Sequence, residues 1–281
     1  MFIPPMLLQY SKNNQPFDSF KHITELKLDG IRLIVSNLDG SIKLYTRHDN
    51  DVTSKFPELT LDAPIPHGTV LDGEIIVTDS EGKPDFENMM SRFQSPRKKT
   101  PVTFVAFDIL RHRGIDVTSL PLMRRKEILE TALTETEHYK VIQVAKGSST
   151  EYFRIVKQLG LEGVVIKEKN SSYEVNRRSW SWQKVINWIE TDVYITGFRK
   201  KDFGWLTAHK TADGHLQPTG IIELGVSPIH KKAFNGVRKQ LIYKEDKHFF
   251  YMQPSIQAKV KTRNYTKKGL LRSPVFIDFV L

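Results

Sequence analysis

The stretch ITELKLDGIRLIVS, at residues 23–36, is a β-branched run interrupted by the charged hexapeptide KLDGIR, which begins at Lys27. The run predicts strand structure. Asp29-Gly30 allows a tight turn, so that Lys27 would end a strand with its amine presented to a ligand. A nucleophilic lysine must first lose its proton, although the pKa of an unperturbed lysine is about 10.4. Burial near Arg32, other cations and a metal would lower that pKa. Because the hexapeptide is short, a surface lysine beside a hairpin turn explains it equally well.

The first two thirds of the chain alternate strand and helix signals. Helices are predicted at 121–137 and at 149–159, where Ser148 and Glu151 form a candidate capping box and Gly160 closes the helix. The other predicted strands are β-branched and aromatic runs bounded by turn residues, at 41–47, 69–79, 102–110 and 161–169. This mixture predicts an α+β fold with a large antiparallel component.

After about Trp188 the pattern changes to short strands at the spacing of a small barrel, with one helix-like stretch at 230–243. Five or six short strands with an inserted helix fit an OB-fold β-barrel, a fold that binds oligonucleotides. We therefore expect two domains, residues 1–189 and residues 190–281. At roughly 150 residues per domain, the length of the chain also suggests two.

The positive charge is concentrated in the second predicted domain. Residues 191–281 hold 16 Lys and Arg against 7 Asp and Glu, which leaves 26 against 25 for residues 1–190. Within 259–272 there is no acidic residue, and Tyr265 lies among the cations. Basic side chains with an interleaved aromatic are the composition expected at a phosphate backbone, whereas a solvated basic face needs no such density. The candidate DNA-binding residues, which we call the C-terminal stripe, are Lys259, Lys261, Arg263, Lys267 and Lys268.

Further candidate site residues follow Lys27 in order along the chain. They are Glu74 in LDGE, Phe107 in FVAFD, Glu162 and Lys167 in LEGVVIK, and Lys184 in SWQK. Taken singly, each is most often a solvated strand end, a core aromatic or a surface charge. Together they provide a nucleophilic amine, two carboxylates for a hard cation, an aromatic ring to stack a base, and cations for phosphates. This set favours nucleotidyl transfer.

The ordered motifs resemble those of the covalent nucleotidyltransferase superfamily, and within it the ATP-dependent DNA ligases. KLDGIR resembles motif I, LYTRHD motif Ia, LDGEIIV motif III, FVAFDIL motif IIIa, EGVVIK motif IV, SWQKVINW motif V and LRSPVF motif VI. The chain is similar to minimal bacterial or phage ligases and to the ligase module of bacterial ligase D. The resemblance implies a nucleotidyltransferase (adenylation) domain with antiparallel sheets and flanking helices, followed by an OB-fold barrel.

The resemblance also implies a role for each residue. Lys27 would attack the α-phosphate of ATP, release pyrophosphate and hold AMP as a phosphoramidate. AMP would then pass to the 5′-phosphate of a nick in double-stranded DNA, and the 3′-hydroxyl would displace it. Glu74 and Glu162 would hold a divalent metal, Mg²⁺ or Mn²⁺. Glu25 would lie near the adenine and Phe107 would stack on it, while Glu74 would contact the ribose as an alternative to the metal. The other residues expected to contact ATP are Arg32 and Arg47 at the ribose or a phosphate, Lys167 and Lys184 at the phosphates, and Arg272 at the pyrophosphate.

Two positions depart from the family pattern. Motif V in many relatives has a second lysine two residues after the first, where this chain has Ile186. Phosphate contact must then depend on Lys184 and Lys167. Motif Ia usually reads Arg-x-Gly, whereas here Arg47 and His48 are followed by Asp49, so we expect an altered loop at this position.

Composition excludes several classes of protein. The chain has no cysteine, which excludes a disulfide framework, a Cys-ligated metal and a thiol nucleophile, and with them the zinc module of NAD-dependent ligases. No apolar run approaches the roughly 18 residues of a membrane span, and Pro4-Pro5 interrupts any signal-peptide-like stretch. We expect a cytoplasmic, monomeric, two-domain ligase, with a Ku-type end-binding protein as a candidate partner.

Two alternatives remain at this point. An RNA ligase or a GTP-using capping enzyme shares the motif I lysine and the two-domain plan, so the DNA interpretation depends on motifs IIIa, V and VI. A non-catalytic nucleic-acid-binding relic would have lost a nucleophile, carboxylate or phosphate-binding cation. Such a loss is not seen here, since the chain retains Lys27, Glu74, Glu162, Lys184 and Arg272.

Overall fold

The nucleophile candidate follows a strand of a four-stranded sheet that the chain completes only at residue 186. The computed structural model describes residues 1–61, 63–95 and 100–280. The strands of this sheet are β1 (Leu7–Tyr10), β2 (His22–Leu26), β9 (Gly163–Glu168) and β10 (Arg178–Ile186). Their order is β1-β10-β9-β2, with β1 parallel to β10 and the other pairs antiparallel. The strand predicted at 161–169 is thereby confirmed as β9.

A second sheet follows in the sequence and supplies the other carboxylates. It consists of β3 (Ile31–Asn37), β4 (Lys43–Thr46), β5 (Thr69–Ile76), β6 (Thr103–His112), β7 (Ile115–Asp116) and β8 (Tyr139–Val141). The order is β4-β3-β5-β6-β7, and β8 pairs with β6 in parallel. Leu33, Leu71 and Phe104 belong to one large buried cluster on this sheet. The antiparallel component predicted for this part of the chain is therefore present.

Three helices pack in the same unit. They are α1 (Phe86–Gln94), α2 (Leu122–Ala132) and α3 (Ser149–Gln158). The predicted N-cap of α3 is confirmed, because Ser148 Oγ accepts a hydrogen bond from the Glu151 amide at 3.1 Å. Helix α1 was not predicted, although Asp85 caps it in the same way through the Asn88 amide at 3.0 Å. Helix α2 is shorter than predicted, since the residue after Ala132, Leu133, is already extended.

The chain divides between Asn187 and Trp188 into two compact units. The second unit contains β11 (Ile189–Arg199), β12 (Trp205–Lys210), β13 (Leu216–Ile222), β14 (Ile242–Glu245), β15 (Phe249–Thr262) and β16 (Val275–Val280). Their order is β13-β12-β11-β15-β14, with β16 paired to β15. The helix-like stretch predicted at 230–243 is confirmed as α4 (Pro228–Leu241), which begins after the N-cap Ser227.

The second unit has its own aromatic core. Trp205 is 3% exposed and lies 4.6 Å from Phe234 of α4 and 5.5 Å from Phe276 of β16, between ring centroids. These contacts join the helix and two strands in one cluster. Within the described ranges, no helix of either unit is long and apolar enough to cross a membrane.

Candidate active site

Lys27 lies directly after β2, and the backbone beside it is closely packed. Its amide donates a hydrogen bond to the Gly163 carbonyl at 2.9 Å. Gly163 has φ +151°, and a Cβ there would come within 2.1 Å of the Val185 carbonyl oxygen. Gly30 is required for a similar reason, because a Cβ would lie 2.2 Å from the Ile75 carbonyl oxygen. The glycine of KLDGIR therefore serves a close approach to β5 rather than a turn of positive φ.

The Lys27 amine forms an ion pair with Glu162. Nζ lies 2.8 Å from Oε2, and the lysine side chain is 17% exposed while that of the glutamate is 2% exposed. The two residues are 135 positions apart in the chain. They meet because Lys27 follows β2, Glu162 precedes β9, and these two strands pair in an antiparallel manner. The structure thus brings the predicted nucleophile and one predicted carboxylate together, with the amine reachable from solvent.

Glu74 on β5 is the second carboxylate near Lys27. Burial, opposed by the attraction of Lys27 and aided by the charge of Glu162, raises the pKa of Glu74 to about 7. Arg32 lies opposite Glu74 in the register of β3 and β5. A carboxylate that is half ionised near neutral pH is suited to take up a cation.

Arg32 is fixed by a carboxylate that the sequence analysis did not single out. Its guanidinium binds Asp72 in a bidentate manner, with Nε–Oδ1 at 2.9 Å and Nη2–Oδ2 at 2.5 Å. Tyr173 donates to Asp72 Oδ2 at 2.6 Å. Although burial opposes the charge of Arg32, Asp72 raises its pKa above the ordinary value. Asp72 lies within the LDGE segment that the sequence analysis considered, but the sequence does not show that this aspartate is buried.

Glu25 forms a buried three-membered group with two lysines. Its carboxylate contacts Lys126 Nζ, and its Oε2 lies 2.6 Å from Lys167 Nζ. All three side chains are 2–3% exposed. Burial alone would raise the pKa of Glu25, but Lys126 and Lys167 hold it below the usual value. Burial lowers the pKa of Lys167 to about 8, opposed by Glu25.

Lys126 is the member of this group that sequence reasoning missed. It lies on α2 next to Arg125, which pairs with Asp108 through two hydrogen bonds of 2.8 Å, and both residues of that pair are fully buried. Leu122, Arg125, Lys126 and Leu129 share the inward face of α2 at helical spacing. Basic residues at inward positions of a helix were the available signal.

Phe107 connects this group to Arg32. Its half-buried ring has Lys167 Nζ at 4.6 Å and the Arg32 guanidinium carbon at 5.3 Å from the centroid. The Trp182 ring meets it edge-on at 6.2 Å. The structure therefore places the predicted base-stacking ring among cations rather than deep in the hydrophobic core.

Lys184 on β10 contacts an aromatic ring of the edge strand β1. Its Nζ lies 4.1 Å from the centroid of the Tyr10 ring. The neighbouring Ile186, which replaces the second motif V lysine, is 1% exposed. Its amide donates to Asn14 Oδ1 at 2.9 Å, and its carbonyl accepts from Asn14 Nδ2 at 2.8 Å. This buried, clamped position suits an apolar side chain, and Lys184 remains as the motif V cation.

The remaining predicted site residues are Arg47, Arg272 and the C-terminal stripe. Arg47 is exposed after β4, and its Nε donates to His48 at 2.9 Å. Asp49 there adopts φ +63°, the left-handed conformation in which Gly is favoured and Asp is tolerated. The loop expected to be altered thus keeps a glycine-like backbone. Arg272 and the C-terminal stripe belong to the second unit, at β15 and the loop after it.

The residues of the C-terminal stripe lie on a strand and in a loop. In the strand register, Lys259 lies opposite Asp192 and Asp278, and Lys261 lies opposite Glu190. Lys267 and Lys268, in contrast, are exposed in the loop between β15 and β16. The strand register therefore brings acidic residues opposite the two strand lysines, which the sequence order did not show.

The carboxylates near Lys27 were tested as a site for a divalent metal. Among the described residues, no group of three or more His, Cys, Asp or Glu side chains could hold a metal ion. Glu74 and Glu162 nevertheless lie close enough for the charge of one to raise the pKa of the other. Mg²⁺ is commonly bound by one or two carboxylates together with substrate phosphates and water. The pair fits a metal that arrives with a nucleotide.

Comparison with known proteins places these residues in a family. Residues 5–185 match the family model described as ATP dependent DNA ligase domain. The chain is 43% identical over 276 residues to the SPbeta prophage-derived DNA ligase-like protein LigB of Bacillus subtilis, covering 98% of both chains. It is 31% identical to the multifunctional non-homologous end joining DNA repair protein LigD of Mycobacterium tuberculosis, covering 88% of this chain but only 34% of that protein.

Solved structures agree with this placement. A mycobacterial DNA ligase D complexed with ATP and MES is 28% identical, with a TM-score of 0.62 over 99% of this chain and 95% of that chain. A Lig E DNA ligase with 18% identity shares the fold, with a TM-score of 0.70 over 99% and 100% of the two chains.

Proposed function

This chain belongs to the ATP-dependent DNA ligase family, and from that premise we propose how its residues divide the reaction. The enzyme joins DNA ends at the expense of ATP. The Lys27 amine, as the free base, attacks the α-phosphorus of ATP; a P–N bond forms, the bond to the bridging oxygen breaks, and pyrophosphate leaves. The 5′-phosphate of the nick then attacks the lysyl-AMP phosphorus and releases Lys27. Finally the 3′-hydroxyl attacks the 5′-phosphate, and AMP leaves.

The observation that carries this proposal is the Lys27–Glu162 ion pair. A lysine 17% exposed beside a carboxylate 2% exposed is accessible to a nucleotide but held in one direction. Glu162 accepts a hydrogen bond from Nζ and so orients the amine before attack. A solvated surface lysine would have no buried carboxylate at 2.8 Å.

The remaining residues bind and orient the nucleotide. Phe107 stacks on the adenine, with Glu25 nearby, while Lys167 and Lys184 hold phosphates. Arg32, fixed by Asp72, contacts the ribose or a phosphate, and Arg47 approaches from the exposed loop after β4. A fixed guanidinium loses little freedom when it binds, which favours recognition of a planar or charged group.

Glu74 and Glu162 would hold a divalent metal, Mg²⁺ or Mn²⁺, together with the phosphates of ATP. Such a metal neutralises charge that develops on the transferring phosphoryl group. Because the pKa of Glu74 is about 7, its carboxyl group can be protonated when no metal is bound, and the site then holds one buried negative charge instead of two. The ionised carboxylate would accept the metal.

We assign the first unit as the adenylation domain and the second as an OB-fold barrel that binds the nicked double-stranded DNA. Six strands with one helix inserted between β13 and β14 support the barrel. Arg272 acts on the pyrophosphate during adenylation, and the exposed cations of the C-terminal stripe contact DNA phosphates afterwards.

We further propose that the enzyme takes part in end joining together with a Ku-type protein. The LigD relatives are named for non-homologous end joining, but this chain spans only 34% of LigD from M. tuberculosis. The proposal is tested by sealing linear duplex ends with and without a Ku-type protein. If the added protein does not stimulate sealing of ends, while nicks are sealed normally, the partner is refuted and the ligase function stands.

The decisive experiment for the reaction is covalent labelling with [α-³²P]ATP. We expect wild-type protein to carry AMP on Lys27, and Lys27→Ala and Lys27→Arg to carry none, since a guanidinium stays protonated at any working pH. Circular dichroism checks that both variants are folded. An adenylated peptide containing a different lysine would overturn the assignment, and exclusive labelling by GTP would replace ATP as the substrate.

A further inference from the structure

A cleft in the second unit is not accounted for by the motifs. It lies between the turn that joins β11 to β12 and one face of α4, and its volume is about 240 Å³. We call it the hairpin cleft. Its basic lining residues are Arg199, Lys200, Lys201, Lys231 and Arg238, and among the described residues that line it Asp202 is the single acid. The cleft is therefore strongly cationic.

Three of these cations are not neutralised by an acid. Arg199 pairs with Glu223, and Lys200 pairs with Glu245 at 2.6 Å. For Lys201, Lys231 and Arg238, the described part of the chain offers no carboxylate within ion-pair distance. Their charge is thus available to a ligand, unlike that of Arg199 and Lys200, which form ion pairs.

Aromatic rings hold two of these cations in place. Lys231 Nζ lies 4.1 Å from the centroid of Phe203, and the Arg238 guanidinium carbon lies 4.5 Å from that of Phe198. A cation–π contact orients a cation without neutralising its charge, whereas an ion pair orients the cation and also neutralises it. The cations are half-buried, so they have lost freedom before any ligand arrives.

The spacing of the two ordered cations suits a nucleic-acid strand. Lys231 and Arg238 are seven residues apart on one face of α4, on which Phe234 packs into the core between them. Seven residues of α-helix span about 10 Å. Two cations this far apart along a helix can contact two different phosphates of one strand, which a single cation cannot. The pair therefore suits a phosphate backbone, whose charges repeat along the strand.

We propose that the hairpin cleft is a second phosphate-binding site for duplex DNA, separate in sequence from the C-terminal stripe. This rests on the proposed ligase function, because the ligand is the DNA that flanks the nick. The site reads no base sequence, since its groups are cations and rings that recognise a charged backbone. An acidic segment of another protein is the competing occupant.

The test compares two double variants that remove the same charge from the same helix. Lys231→Gln with Arg238→Gln removes the cations of the cleft. Lys232→Gln with Lys239→Gln removes two exposed neighbours that do not line it. Binding of full-length protein to a nicked duplex is measured over a range of salt concentrations. For the cleft variant we expect weaker binding, and a slope of log K against log salt that is lower by about 1 to 2, one per phosphate contact removed.

For the matched control we expect the wild-type slope. Self-adenylation by ATP alone should be the same in wild type and both variants, which shows that each is folded. Equal losses in both double variants would overturn the proposal in favour of a general charge effect, and wild-type DNA binding by the cleft variant would overturn it in favour of the acidic partner. Failure of the wild-type protein to adenylate itself would refute the ligase mechanism instead.

Discussion

Charged side chains of the first unit are withdrawn from water in ion pairs. Glu25 has a lysine on each side, from α2 and from β9, and Lys27 has a glutamate from the segment before β9. In each case a charge is removed from water only together with a partner of opposite sign. A buried ion pair of this kind contributes little net stability, but leaving one partner alone is costly. Its effect is therefore best measured by removing one side.

At this scale we predict that Lys126→Met destabilises the protein by about 3 kcal/mol, because Glu25 loses one of its two cations in a buried site. Lys126→Arg should recover most of the loss. Urea unfolding measures the change. The control is Lys140→Met, which removes the half-exposed pair with Glu135 and should cost about 0–1 kcal/mol. Similar losses in the two methionine variants would show that the burial of Glu25 is energetically unimportant.

Glu74 gives a prediction of pH dependence. Burial raises its pKa to about 7. Below that pH the carboxyl group is protonated and a metal must displace the proton, so the Mg²⁺ concentration for half-maximal self-adenylation should rise as the pH falls. The rise approaches about tenfold per pH unit below pH 7, for one proton displaced. Titrations of Mg²⁺ between about pH 6 and 8 measure it.

Glu74→Gln provides the control, because an amide does not titrate in this range. It should require more Mg²⁺ at every pH and lose the dependence. An unchanged dependence in the variant would assign the titration to another group.

The sequence predicted residue identities better than residue neighbours. Lys27 and Glu162 were named together from their motifs, and the structure brings them to 2.8 Å. Asp72 and Lys126 were passed over, because a charged residue in a short pattern is normally assigned to solvent. Their partners lie 40 and about 100 positions away in the chain, and local propensity carries no information about such pairings. The remaining site roles stay predictions.

Among the elements, one departure from the family pattern lies in a turn, at Asp49, and the other at the end of a strand, at Ile186. The turn after β4 is closed by hydrogen bonds of 3.0 Å from Asp49 to Thr46 and from Thr46 to Asn50. Its left-handed residue is an aspartate where relatives usually have glycine. The helices α2, α3 and α4 were predicted from periodicity and caps, and the strands from β2 to β6 and β9 from their β-branched and aromatic runs. The strands β1, β7, β8 and β10 were not predicted. Helix α1 was not predicted either, because its nine residues carry only a short apolar pattern.

We predict that Asp49→Gly leaves stability unchanged or slightly raises it, since glycine adopts φ +63° without steric cost. Asp49→Val should destabilise the protein by about 1–2 kcal/mol, because a β-branched residue clashes in this conformation. Thermal unfolding of the three proteins measures both effects. If Gly and Val destabilise equally, the aspartate side chain rather than the backbone angle determines the turn.

For the whole molecule, the division into two units predicts a division of steps. Arg272 lies in the second unit and resembles the arginine of motif VI, so we predict that it acts when ATP is attacked. Arg272→Ala should lose self-adenylation yet seal a nick that already carries AMP on its 5′-phosphate. Lys267→Gln with Lys268→Gln should show the reverse pattern, with normal labelling and poor sealing. Gel assays of the two steps measure both variants.

If each variant fails equally at both steps, the second unit acts as one undivided surface. In that case the assignment of Arg272 to the nucleotide would be wrong. The Lys27 labelling experiment would be unaffected by this outcome.

The parallel pairing of β1 with β10 has a consequence for biosynthesis. Leu7 is aligned with Arg178, so the sheet beside Lys27 cannot close until about 180 residues have left the ribosome. The sheet built from β3 to β8 lies within residues 31–141 and can form earlier. Contacts so distant in sequence close slowly. A nascent chain can therefore form its second sheet while the sheet that carries Lys27 is still incomplete.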